Sequence, residues 1–224
     1  MNRSSRNLVV LFLLSLSTLT FAQSSDVLSW NKLKLGYEPS KNWDFGLEAQ
    51  LRLKDNFGLV DEYFGEFQID RRIVKGLKFG VGLRYLFEND TRGNIQGYEN
   101  HFRYQFDLKY KHDVGSFDLG YRLRYQNKNE LGVDDVARQF LRLKGSAEYK
   151  IKNWKLDPEL AFEVWSKLNV GDEETDKYRI TLGSEYDMKN AGEIGFYYRY
   201  QSGFEADGRE TRHIIGLSYG YTIK

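Results

Sequence analysis

Period-two alternation of apolar and polar residues recurs eleven times between Val27 and Ile223. In the run Trp43-Asp44-Phe45-Gly46-Leu47-Glu48-Ala49-Gln50-Leu51-Arg52-Leu53 every odd position is apolar and every even one is polar or glycine. Leu77 to Phe87 follows the same rule almost throughout, and Phe117 to Tyr125 follows it completely. Successive side chains of a strand point to opposite sides, so each run is a strand with one oily face and one charged face. Combined with an export-type leader and no helix-length apolar span after it, this pattern predicts an all-β fold. The expected architecture is a transmembrane antiparallel up-and-down β-barrel.

The leader occupies residues 1–22. Arg3 and Arg6 give a positive start, Leu8 to Phe21 is apolar with some Ser and Thr, and Thr20-Phe21-Ala22 offers small-residue cleavage before Gln23. This reads as a signal peptide, and its apolar stretch is short for a membrane-spanning helix. Residues 23–224 then form one barrel domain exported through the periplasm to the bacterial outer membrane. The chain has no cysteine, which excludes a lipid-modified N-terminal Cys and disulfides. Charge is close to balanced, whereas nucleic-acid binders carry a basic excess. The mean hydropathy of −0.62 is low because half of every strand faces a polar lumen.

The strands fall near residues 27–37, 43–54, 60–73, 77–88, 98–111, 116–127, 137–150, 154–166, 176–187, 192–201 and 211–223. Short turns are expected around Pro39-Ser40, Lys75-Gly76, His112-Asp113, Lys152-Asn153 and Lys189-Asn190. Longer polar loops are expected at 88–97, 128–136, 166–176 and 202–210. Short turns belong in the periplasm and long loops outside. Bacterial single-chain barrels carry even strand numbers, yet loop parity starts segment 27–37 on the outside. The expected count is therefore 10 to 12. Pro158, which cannot donate to a ladder, predicts a bulge or frayed pairing in strand 154–166.

On the oily face, Tyr63, Tyr85, Tyr104, Tyr125, Tyr178 and Tyr200 fall toward the outer strand ends. Trp43, Phe117, Tyr149, Trp154, Tyr186 and Tyr221 fall toward the inner ends. Two such sets are expected of the aromatic girdles at the headgroup levels. On the opposite face, Arg84, Arg103, Arg124 and Arg199 each precede one of these tyrosines, and Arg52, Arg142 and Arg179 sit at comparable heights. They predict a luminal arginine belt. The strands that lack a belt arginine offer Glu62, Glu66 and Glu163 instead. The inner half is richer in acids, among them Glu48, Asp70, Asp118, Glu148, Asp157, Glu159, Glu185 and Glu193.

Two readings of the belt compete. It is a structural lattice, since buried charges are usually paired and arginine forks suit carboxylates. Alternatively it attracts a small anionic solute, with Arg103 and Arg124 as filter residues. Catalytic chemistry has little support. His112 falls in a turn and His213 on the lipid face, while His101 points inward near the outer rim, within approach of Glu99 or Arg103. No Ser-His spacing marks a nucleophilic set. Asp134-Asp135 and Asp172-Glu173-Glu174 with Asp176 make acidic loops that match no calcium loop. No cofactor or metal is expected. Gly80 and Gly82 are inward positions that make room for long side chains.

Several pieces resemble the DUF2490 family of bacterial outer-membrane barrels: Trp43 with Leu51-Arg52-Leu53-Lys54-Asp55-Asn56, the segment Lys75-Gly76-Leu77-Lys78-Phe79-Gly80-Val81-Gly82-Leu83-Arg84-Tyr85, Trp154-Lys155-Leu156-Asp157-Pro158, and Tyr197-Tyr198-Arg199-Tyr200-Gln201. The similarity spans nearly all of the mature chain. It implies fold and location and supplies no substrate. The expectation is a monomer in contact with outer-membrane lipid, acting as a narrow pore or as a barrel with a largely filled lumen. The alternatives are a closed scaffold that binds surface lipid or a partner through its outer loops and, last, a membrane enzyme.

Overall fold

Each alternating segment is a strand in the computed structural model, which describes residues 25–91, 96–134, 136–152, 155–169, 176–204 and 211–224. The strands are β1 (Ser25–Ser40), β2 (Trp43–Lys54), β3 (Leu59–Val74), β4 (Leu77–Asp90), β5 (Gly97–Val114), β6 (Phe117–Glu130), β7 (Arg138–Tyr149), β8 (Leu156–Lys167), β9 (Lys177–Asp187), β10 (Glu193–Gly203) and β11 (Thr211–Ile223). They pair in chain order and close into a barrel. Residues 1–22, read above as a leader, Trp154, Asp135, Asn153 and the Asp172-Glu173-Glu174 run lie outside the described residues.

The parity conflict in the sequence is resolved by the closure. Ten ladders are antiparallel, but β1 and β11 pair in parallel, from Ser25–Thr211 through Tyr37–Ile223. With an odd number of strands the first and last run the same way, so no antiparallel closure is available. The fold therefore departs from a purely antiparallel barrel at one seam. A parallel ladder is slightly weaker per residue. Here the seam is long and is backed on its inner side by a buried apolar cluster of Leu28, Trp30, Tyr197 and Ile214.

Glycine makes that cluster possible. A Cβ on Gly216 would stand 2.0 Å from Cζ of Tyr197, whose ring lies over the glycine. Its hydroxyl reaches past to donate to the Trp30 carbonyl at 3.0 Å. Gly216→Val should displace the ring and destabilise the barrel by about 1–3 kcal/mol, the usual cost of overpacking. Urea-unfolding midpoints test this. The same substitution in a Tyr197→Ala background should cost little, and an equal loss in both backgrounds would refute the steric account.

Loop lengths sort by end in the main, with 55–58 shorter than 150–155 and 188–192 as the exception. One end carries the connections around 41–42, 75–76, 115–116, 150–155 and 188–192, and the other carries 55–58, 91–96, 131–137, 168–176 and 204–210. Two expected turns move. The strand β5 continues through His112 and Asp113 to Val114, and the turn is Gly115-Ser116, with Gly115 at φ 61°. His112 is thus a strand residue stacked between Tyr110 and Tyr121, at 5.3 and 5.9 Å between ring centroids. Pro39 and Ser40 belong to β1, where register shifts between Tyr37 and Ser40. Pro158 pairs with Ser184 in an unbroken β8–β9 ladder, whereas the β7–β8 ladder stops one residue short of it, at Glu148–Glu159. The proline thus sits where one neighbour has been released, as its missing N–H requires.

Candidate functional site in the barrel lumen

Alternation sends the charged face of every strand inward. The lumen holds a cavity of about 400 Å³, lined by all seven arginines of the belt and by Glu62, Glu66 and Glu163. Eight-stranded barrels are filled by their side chains and wide ones hold channels. Eleven strands leave space here, but a confined and strongly polar one.

Most of the belt is paired, and many pairs skip a strand. Glu66 on β3 accepts from Arg84 Nε on β4 at 2.7 Å and from Arg103 on β5 at 2.7 Å. Glu163 on β8 accepts from Arg142 on β7 at 2.9 Å and from Arg122 on β6. Asp107 takes a two-pronged contact from Arg124 at 2.6 and 2.7 Å. Arg52 pairs with Glu62. Nearer the short-turn end, Lys109 binds Asp70 at 2.8 Å and Lys78 binds Asp44, again across an intervening strand. Inward side chains converge toward the barrel axis, so a long cation reaches its second neighbour more readily than in a flat sheet. These contacts brace the wall.

Aromatic rings interleave with the arginines. The Arg84 guanidinium carbon lies 3.3 Å from the Phe64 ring centroid, and Arg52 lies between Phe64 and Trp30, at 5.2 and 3.7 Å. Arg179 lies between Trp30 and Trp165, at 4.8 and 4.5 Å, and Arg142 covers Trp165 at 4.5 Å. Guanidinium planes stack on such faces and are weakly hydrated, which suits a confined site.

Two belt arginines stand apart. Arg179 donates to the Gln201 side chain at 3.1 and 2.5 Å, and Arg199 lies 3.9 Å from the Tyr197 ring centroid. Among the described residues neither has a carboxylate within ion-pair distance, and Nε of Arg199 is buried without a hydrogen-bond partner. Lys32 on β1, across β11 from β10, also faces the cavity, 5.3 Å from the Tyr197 ring. On the wall from β9 to β1, Arg179, Arg199 and Lys32 therefore have no carboxylate in ion-pair contact among the described residues, although Glu163 stands opposite Arg179 in the β8–β9 ladder, while the wall from β3 to β8 is cross-linked by ion pairs.

The outward face is a band of apolar side chains. Leu33, Leu47, Leu143, Leu160, Leu182, Phe196 and Leu217 are each more than half exposed. The six tyrosines expected at the long-loop level all point outward, and each meets an aromatic neighbour: Tyr63 stacks on Phe87 at 4.8 Å, Tyr85 meets Phe87 edge-on, Tyr104 packs against Tyr125, and Tyr178 packs against Tyr200 at 6.1 Å. His213 is outward as expected and meets the Tyr198 hydroxyl at 2.6 Å. His101 is inward and 1% exposed, with Nε2 3.3 Å from carboxylate oxygens of Glu88 and Glu99. Asp176 accepts from the Lys167 backbone N–H at 2.7 Å, so this loop carboxylate fastens β8 to β9.

The family model described as "Protein of unknown function (DUF2490)" matches residues 28–212, from the first inward leucine of β1 into β11. The chain belongs to the DUF2490 family. No curated protein matches it.

What sequence reasoning missed in this DUF2490 barrel is the inward aromatic set. Trp30, Phe64, Trp165 and Tyr197 share strand parity with Lys32, Glu62, Glu163 and Arg199, and that parity was the available signal. It is easily overlooked because outward aromatics are more numerous. Gly80 and Gly82 do make room: a Cβ on Gly80 would lie 2.1 Å from Asp70 Oδ1, and one on Gly82 would lie 2.6 Å from Gln68 and Gln105.

Proposed function

We propose that this DUF2490 protein is an integral outer-membrane barrel whose lumen holds or passes small anions at the wall that runs from β9 through β10 and β11 to β1. The observation that carries the reading is the pair Arg179 and Arg199, which line the cavity with no carboxylate in ion-pair contact among the described residues, while Arg52, Arg84, Arg103, Arg124 and Arg142 each have one. Membrane residence is supported by the apolar outward band, since soluble monomers rarely expose contiguous apolar surface beyond a few hundred Å². It is supported also by the leader at residues 1–22 and by the division into short turns and long loops. An anion entering the cavity would meet guanidinium forks already desolvated by Trp30, Trp165 and Tyr197, where charge-assisted hydrogen bonds are strong.

The test is planar-bilayer conductance of the refolded mature barrel under a salt gradient. Small, stable steps with anion preference are expected. Replacing Arg179 and Arg199 together by Ser should abolish that preference, whereas Arg124→Ser, which breaks an existing ion pair, should mainly affect stability. Selectivity unchanged in the double variant would defeat the proposal. The extent of luminal pairing favours a second reading, a filled barrel acting through its long-loop end. Absence of any conductance from a demonstrably folded barrel would support that reading.

A further inference from the structure

At the long-loop mouth three neighbouring strands bring acids onto one histidine. His101 and Glu99 lie two residues apart on β5, His101 stands opposite Glu130 on β6, and Glu99 stands opposite Glu88 on β4. Like charges opposite one another are unfavourable without a cation between them. Lys128 reaches across to Glu88, whose carboxylate also stands 3.3 Å from His101 Nε2, so Glu99 and Glu130 are the carboxylates at the imidazole that no lysine or arginine holds in an ion pair among the described residues. One ligand atom from each of Glu99, His101 and Glu130 lies within 4.8 Å of the others. The histidine is fully buried, and its Nε2 faces this group with no hydrogen-bond partner.

We propose that Glu99, His101 and Glu130 bind one divalent transition-metal ion of the zinc class at the mouth of the barrel. Three features point to that chemistry. Two donors bonded to one tetrahedral ion at about 2.0–2.1 Å stand about 3.3–3.4 Å apart, and the separation of His101 Nε2 from the Glu99 carboxylate is 3.3 Å. A neutral imidazole nitrogen with two carboxylates is a zinc-type donor set, whereas calcium and magnesium take oxygen alone. Two carboxylates also balance a charge of two, which removes the repulsion between them. The ion would tie β5 to β6 where their ladder ends, and a fourth position would stay open toward the mouth. The site is independent of the cations at Arg179 and Arg199, because it lies at the end of β4–β6 on the opposite wall.

The experiment is a titration of the refolded, tag-free mature chain with Zn(II), together with Co(II) as a spectroscopic substitute. One saturable equivalent per barrel is expected, with visible Co(II) bands of a four-coordinate site. His101→Ala should weaken Zn(II) binding by about 100-fold or more, at or beyond the effect of losing a supporting group. Glu130→Gln, at a strand end where folding is not at stake, should weaken it measurably, and His213→Ala should leave it unchanged. No saturable binding to the folded barrel would overturn the proposal. So would binding that survives His101→Ala, or saturable Ca(II) binding in place of Zn(II).

Discussion

Glu66→Ala is expected to cost the barrel about 3–5 kcal/mol of stability, the penalty for removing one partner of a buried ion pair. One carboxylate here serves Arg84 at 2.7 Å, Arg103 at 2.7 Å and Gln105 at 3.2 Å. Both arginines are less than a tenth exposed. Without Glu66 they lose their shared ion-pair partner and face each other, and the bracing of β3 against β5 is lost. Water in the luminal cavity can rehydrate part of the charge, so a value near the lower end is expected. Urea unfolding in lipid vesicles measures it. Glu66→Gln keeps an acceptor and should cost less, and Glu66→Met combined with Arg84→Met should cost less than the sum of the singles, because the two share one interaction. A loss within about 0.5 kcal/mol, the scale of ordinary surface substitutions, would show that the pairs are incidental.

The second large effect is expected at Trp30. Truncation to alanine removes a ring that is 3% exposed and belongs to the seam cluster, at a cost of about 3–5 kcal/mol. It also removes the surface on which Arg52 and Arg179 rest, at 3.7 and 4.8 Å. The damage should be local. Amide exchange at Leu28 and Ile214 should accelerate before exchange in the β4–β5 ladder, because β1 closes the barrel through the parallel pairing. Trp30→Phe should recover a large part of the stability, since it keeps an aromatic face. Uniform acceleration around the barrel would indicate that the seam is no weaker than the other ladders.

Both effects arise from side chains that a one-dimensional reading places on the correct face without naming their partners. Alternation determined the eleven strands, the inward belt at Arg52, Arg84, Arg103, Arg124, Arg142, Arg179 and Arg199, and the outward tyrosines, because a period of two follows directly from strand geometry. The end that bears long loops was also legible, since turn lengths alternate along the chain. Arg103 and Arg124 looked like filter residues from sequence, yet each has a carboxylate partner.

What the tertiary structure decided is closure and pairing across it. A chain cannot announce that its first strand will run beside its last, so the parallel β1–β11 ladder and the cluster beneath it emerge only when the sheet curls through a full turn. The Arg103–Glu66 and Arg122–Glu163 pairs lie 37 and 41 residues apart, and Glu99, His101 and Glu130 come from two strands. Such partners are set by the register of each ladder and by the convergence of inward side chains on a narrow axis. Neither quantity is contained in the alternation of a single strand. Arg179 shows the limit of register alone: it stands opposite Glu163 in the β8–β9 ladder, yet that carboxylate is engaged by Arg142 and Arg122 from the other side.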